Sequence, residues 1–134
     1  MAAEESKPDC VIEDSIWIRA TPERVFNALT VGAEIARWWP KDAEAQPELG
    51  GKLILTWFTD HKLKTAFSTF VPAKEVSYPF YTEKLSFSLR PENDGTELKI
   101  VHHCGHDAAI HIAQSWGFLK ANLKSVIEHN IDLR

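Results

Sequence analysis

Residues 95–130, GTELKIVHHCGHDAAIHIAQSWGFLKANLKSVIEHN, decide the fold, because the spacing of their apolar residues changes partway along from two to about 3.6. Over 96–103, Leu98, Ile100 and His102 share one parity and Glu97, Lys99, Val101 and His103 take the other, which is the alternation of a half-buried strand. From Asp107 to about Asn130, Ile112, Trp116, Leu119, Leu123, Val126 and Ile127 recur at steps of three and four, with Lys120, Lys124 and Glu128 off the stripe. This pattern predicts a long amphipathic helix of roughly 35 Å at about 1.5 Å per residue. Asp107 is placed to cap its start. Gly117 costs about 1 kcal/mol relative to Ala in mid-helix, so it is expected to permit a close approach or to open space beside Trp116.

Upstream of this stretch most of the chain reads as strands. Residues 83–90 alternate through Leu85, Phe87 and Leu89 and end in Pro91-Glu92-Asn93-Asp94-Gly95, a hairpin signal. Residues 52–58, 64–71 and 75–81 are three further strand candidates, and Pro79, which cannot donate to a ladder, predicts an edge or a bulge there. Residues 40–51, PKDAEAQPELGG, read as a loop. Thr21-Pro22 is a cap followed by a first-turn proline, opening a helix with Val25, Phe26 and Leu29 inward that Gly32 ends or bends. A short helix over 33–38 turns Ile35, Trp38 and Trp39 inward before Pro40. Residues 10–20 form the first strand, with Ile12, Ile16 and Ile18 on one parity and Trp17 facing out. The polar residues 1–9 read as a disordered tail. Residues 10–134 read as one α+β domain of six antiparallel strands, with two short helices between strands one and two and the long helix last.

Composition narrows the function. A chain of 134 residues with a net charge of -4 and no run of Lys or Arg is not built for nucleic acid or an anionic membrane surface. The longest uncharged apolar interval, 108–119, is too short to span a bilayer. Two cysteines are too few for a disulfide framework, and the acidic start does not read as a signal peptide, so a cytoplasmic location is expected. Five tryptophans and seven phenylalanines stand beside a single methionine, a content that suits either a large core or an apolar ligand site.

His102, His103, Cys104, His106 and His111 are of metal-ligating types, but neighbours on a strand face opposite ways and no zinc spacing is present, so no metal or cofactor is expected. His102 points inward and is the candidate to orient a ligand carbonyl or act as a base, although an inward histidine at a strand end is more often simply hydrogen-bonded. If the first strand pairs antiparallel with 96–103, Asp14 becomes its natural partner, and Cys10 approaches Cys104. No nucleophile, phosphate-binding or dinucleotide motif occurs, so nothing specific marks an enzyme.

Several motifs in order resemble a known family. Ala20-Thr21-Pro22-Glu23-Arg24-Val25-Phe26 is similar to the opening of the START-like helix-grip (SRPBCC) superfamily. Trp38-Trp39, then Gly50-Gly51, then the Gly95-Thr96-x-Leu98-x-Ile100-x-His102 run resemble the branch related to the C-terminal domain of the activator of heat-shock protein 90 ATPase. Ser115-Trp116-x-x-Leu119-x-x-x-Leu123-Lys124-x-x-x-Glu128 is similar to that branch's closing helix. The resemblance covers 12–128 and implies a six-stranded sheet curled around the long helix, with an apolar cavity between them. It also implies binding of a small hydrophobic or amphipathic molecule. A co-chaperone-like interaction domain and a cyclase or hydrolase using His102 are the alternatives, and a chaperone or homodimer contact is a further possible partner. The expected lining is Trp38, Trp39, Trp57, Phe67, Phe80, Phe87 and Trp116, all of which also suit plain core packing, with His102, Thr69 or Asp14 as polar anchors.

Overall fold

The computed structural model describes residues 10–134, so the tail expected over 1–9 lies outside the described residues. The chain runs β1 (Cys10–Ile18), α1 (Pro22–Thr30), α2 (Gly32–Ile35), β2 (Asp42–Ala45), β3 (Lys52–Thr56), β4 (Lys62–Ala66), β5 (Thr69–Val71), β6 (Glu75–Phe80), β7 (Glu83–Glu92) and β8 (Gly95–Cys104). A single 3₁₀ turn, His106–Ala108, then leads into α3 (Ala109–His129). The α+β class, the antiparallel pairing and the C-terminal helix are as the sequence predicts. The strand count is not: the described residues form eight strands in two sheets, ordered β1-β8-β7-β6-β5 and β2-β3-β4, rather than six in one.

Two local causes account for the difference. The run 64–71, read as one strand, breaks at Phe67-Ser68. Phe67 exchanges backbone hydrogen bonds with the Gly50-Gly51 pair at 2.8 and 3.0 Å, while the Ser68 N–H donates to the Ser77 carbonyl at 2.9 Å. Adjacent residues are thus held by different sheets, and the alternation continues across a change of partner. Residues 42–45, inside the expected loop, pair with 53–56 as β2. Their sequence, DAEA, buries only Ala43 and carries no apolar alternation to announce a strand. Gly51 tightens the turn into β3, since a Cβ there would stand 1.9 Å from the Gln46 carbonyl oxygen.

The helices form largely where expected. The Thr21 hydroxyl accepts from the Arg24 N–H at 3.1 Å and Pro22 sits in the first turn. Gly32 does not end a helix but opens α2, where a Cβ would lie 2.6 Å from the Ala43 carbonyl oxygen, so the glycine lets α2 sit directly on β2. Asp107 does not cap α3; it lies in the 3₁₀ turn, and Ala108 occupies the cap without a side-chain bond. α3 buries Trp116, Asn122, Leu123 and Val126 on its inner face and ends at Asn130 in the left-handed conformation, φ 58°.

Pro79 behaves as an edge residue: β5 pairs only with Glu75, Val76 and Ser77, so the Pro79 stretch of β6 has β7 on one side and receives the Thr65 hydroxyl on its carbonyl at 2.8 Å. Trp17, outward on β1, has its own niche. Its indole N–H donates to the Glu92 carbonyl at 2.6 Å, and the Lys124 ammonium lies 5.0 Å from its ring. A Cβ on Gly95 would stand 2.6 Å from that ring and 2.5 Å from the Ile18 carbonyl oxygen.

Two glycines therefore predict opposite outcomes. Gly95→Ala should destabilise by about 2 kcal/mol, because both obstacles belong to packed groups. Gly117→Ala meets nothing within 4 Å and should stabilise by about 0.5–1 kcal/mol through helix propensity alone. Urea unfolding of the two variants beside the wild type checks both.

Candidate functional site

The sequence-predicted residues fall into two groups. Trp38, Trp39, Trp57, Phe80, Phe87, Trp116 and His102 form one connected cluster, in which Trp39 stacks on Trp38 at 5.4 Å and on Phe80 at 5.7 Å and touches Trp116 at 5.2 Å and Trp57 at 5.6 Å. Phe87 meets the Trp116 ring edge-on at 5.7 Å. Phe67 belongs instead to a second cluster with Phe70 and Phe26 beneath α1, linked to the first through Tyr78 and Phe87. Burial pushes the Tyr78 phenol far above its ordinary range. Thr69 sits opposite Ser77 on the edge strand β5, outside the first cluster.

His102 is buried, 2% exposed, with hydrogen bonds on both ring nitrogens. The Trp116 indole N–H donates to Nδ1 at 2.9 Å, and Nε2 lies 2.7 Å from the Glu83 carboxylate. An indole N–H can only donate, so Nδ1 must be the bare acceptor and Nε2 must carry the proton it gives to Glu83. In this arrangement no lone pair on the ring is left to serve as a base. Asp14 is not its partner: in the β1–β8 register His102 faces Ile12 and Asp14 faces Ile100, and the Asp14 carboxylate is bonded to the Lys120 ammonium of α3. The same register does place Cys10 opposite Cys104. Among the described residues no group of three His, Cys, Asp or Glu side chains is placed to hold a metal ion, and no helix is long and apolar enough to cross a membrane.

Sequence reasoning missed Glu83, Tyr81 and the C-terminal segment. Glu83 had a signal, a charged residue on the inward parity of Leu85, Phe87 and Leu89. Tyr81 had none. It lies in the β6–β7 turn at φ 60°, an uncommon conformation for an aromatic residue, accepts the Trp57 indole N–H at 2.6 Å and stacks on His61 at 6.2 Å. That hydrogen bond ties β3's end in the small sheet to the β6–β7 turn in the large one.

The rings are held from below by the chain's end. Asn122, wholly buried on α3, donates to the Trp38 carbonyl at 2.9 Å and to Asp132 at 3.1 Å, and accepts from the Leu133 N–H at 2.6 Å. The Arg134 guanidinium donates to the Ala36, Trp39 and Pro40 carbonyls at 2.8–3.0 Å and pairs with Asp132. These bonds satisfy carbonyls that the short α2 leaves open, and they fix the backbone of the Trp38-Trp39 pair.

A curled antiparallel sheet gripping one long C-terminal helix, with an aromatic layer between them, is the helix-grip architecture. The chain matches the family model described as activator of Hsp90 ATPase homolog 1-like protein over residues 19–129, and it belongs to that family. Solved structures agree on the fold. A protein from Staphylococcus saprophyticus is 15% identical with a TM-score of 0.84, and the alignment covers 93% of this chain and 96% of that one. The Aha1 dimer from Colwellia psychrerythraea is 22% identical with a TM-score of 0.79, over 90% and 97%. CalU16 from Micromonospora echinospora is 17% identical with a TM-score of 0.69, over 90% and 76%. Comparison with curated proteins finds no significant match.

The Arg134 hydrogen bonds hold the Asp132 carboxyl down, to about 2 from an ordinary 3.8. A depressed acid stabilises the fold above its unfolded pKa and stops doing so as pH falls through its folded one. The stability that wild type holds over Asp132→Asn should therefore be constant above about pH 4 and shrink between about pH 4 and 2, as read from urea midpoints followed by tryptophan fluorescence.

Proposed function

We propose that this domain binds a small hydrophobic or amphipathic molecule where the two sheets meet, beside Trp116 of α3. The observation that carries this reading is the state of three rings at that junction. Trp57 and Phe80 are partly exposed although both pack on the buried Trp39, Phe80 also meeting His102, and Tyr81, 48% exposed, packs edge-on against Phe80. Covering on the order of 100 Å² of such surface is worth about 2.5 kcal/mol. A micromolar complex needs about 8 kcal/mol, so tight binding requires an apolar tail to part Trp57 from Phe80 and enter between the sheets. Trp38 and Phe87 then back the wall, whereas Phe67, in the cluster beneath α1, and Thr69, on the edge strand β5, stand apart from it.

A second reading, an interaction domain of the kind the family's description names, is supported by the outer face of α3. Ile110 and Phe118 are 77% and 46% exposed there, beside exposed Ala113, Gly117 and Ala121. A cyclase or hydrolase using His102 as base would first need Trp116 to release Nδ1, since Nε2 carries the ring proton.

Native mass spectrometry of protein purified without detergent separates these. The expected result is carry-through of a small ligand, or uptake of at least one member of a lipid and polyphenol panel, weakened about tenfold in Trp57→Ala by the loss of an aromatic contact. A ligand-free protein that takes up none of the panel, yet stimulates the ATPase of a heat-shock protein 90 chaperone, contradicts the first reading and favours the second.

A further inference from the structure

Resting on the binding reading above, we infer that the ligand's polar end is a cation or a dense hydrogen-bond donor, an ammonium or amine head on an apolar tail, received by the Glu83 carboxylate. The argument is one of elimination among the polar atoms that the aromatic cluster contains. The Trp116 N–H is committed to His102, and the Trp57 N–H is committed to the Tyr81 hydroxyl. Both nitrogens of His102 are occupied. What remains is the hydrogen of the Tyr81 hydroxyl, which accepts from Trp57, and the carboxylate of Glu83; of the two only the carboxylate carries charge, and one of its oxygens receives His102 while the side chain keeps 19% of its surface exposed. Among the described residues its only ion-pair partner is that histidine, which the hydrogen-bond pattern makes neutral.

The surroundings favour positive charge as well. Phe80 is the cross-strand partner of Glu83, and its ring lies 5.4 Å from His102, 6.0 Å from Trp57 and 5.2 Å from Tyr81. Aromatic faces carry the negative side of a quadrupole and attract ammonium groups, most strongly where water is partly excluded. A carboxylate with no Lys or Arg partner among the described residues, set beside such faces, is acceptor-only. A fatty acid head would meet like charge there, and an ammonium would meet both a counter-ion and π surface.

Isothermal titration with decyltrimethylammonium, decanoate and decyl glucoside, each below its micelle threshold, tests this on the wild-type chain. The ammonium should bind about tenfold more tightly than the carboxylate, as a partly desolvated cation–π and counter-ion contact allows, with the glucoside between them. Glu83→Gln keeps an acceptor for the His102 N–H and should level the series to within about threefold. Glu48→Gln, an exposed loop change of the same charge, should leave the preference intact and so controls for the net charge of -4. Equal affinity for all three heads, tighter binding of decanoate, or a preference that survives Glu83→Gln overturns the inference while the binding reading stands. Failure of all three to bind overturns both. If Glu83→Gln fails to fold, the wild-type series still decides.

Discussion

The N–H of a tryptophan can donate a hydrogen bond and can never accept one, and the centre of this domain is arranged around that fact. Trp116 is the one large ring that α3 drives into the sheet, and its N–H reaches Nδ1 of His102 on β8. The bond sets the tautomer of a buried imidazole, the tautomer sends the other ring proton to Glu83, and Glu83 on β7 is thereby held at the cluster's edge. A helix, two strands and the hairpin between β6 and β7 are brought into register by polar contacts that an apolar core could not provide. Inside such a core an unsatisfied partner costs about 1–3 kcal/mol, so the three groups stand or fall together.

The same logic explains how the site is framed. Trp38 and Trp39 lie beyond the last turn of α2, where backbone carbonyls have no helical partner, and Asn122 and Arg134 supply the missing donors from α3 and the chain's end. The aromatic layer is therefore clamped from the helix side, while the opposite side, where the two sheets meet, is closed by the Trp57–Tyr81 and Thr65–Pro79 hydrogen bonds and by ring contacts.

Much of this was legible in the sequence because burial writes itself into period. The shift in spacing at 95–130, the Thr21-Pro22 cap and the inward parities of β7 and β8 predict the helix, the hairpin and most of the core. The second sheet was not legible. β2 buries one alanine, and the break at Phe67-Ser68 preserves alternation while exchanging partners, so neither leaves a mark in the pattern of apolar residues. Within the site, the inward place of His102 follows from parity, but its partner does not. Asp14 shares the right parity and lies on the neighbouring strand, yet register sets it two residues away, opposite Ile100. Glu83 was visible only as a charge on an apolar row, and Tyr81 only through a turn conformation that no propensity rule assigns to tyrosine.

Membership of the activator of Hsp90 ATPase homolog 1-like family fixes the scaffold, and the chemistry has to come from this chain's own side chains. What distinguishes them is a histidine whose two nitrogens are both taken, one by an indole N–H and the other by a partly exposed carboxylate. The ¹⁵N spectrum of the His102 imidazole at neutral pH tests that most directly. A bare Nδ1 coupled to the Trp116 N–H, with the proton on Nε2, is the predicted result; a proton on Nδ1, or on both nitrogens, would contradict it.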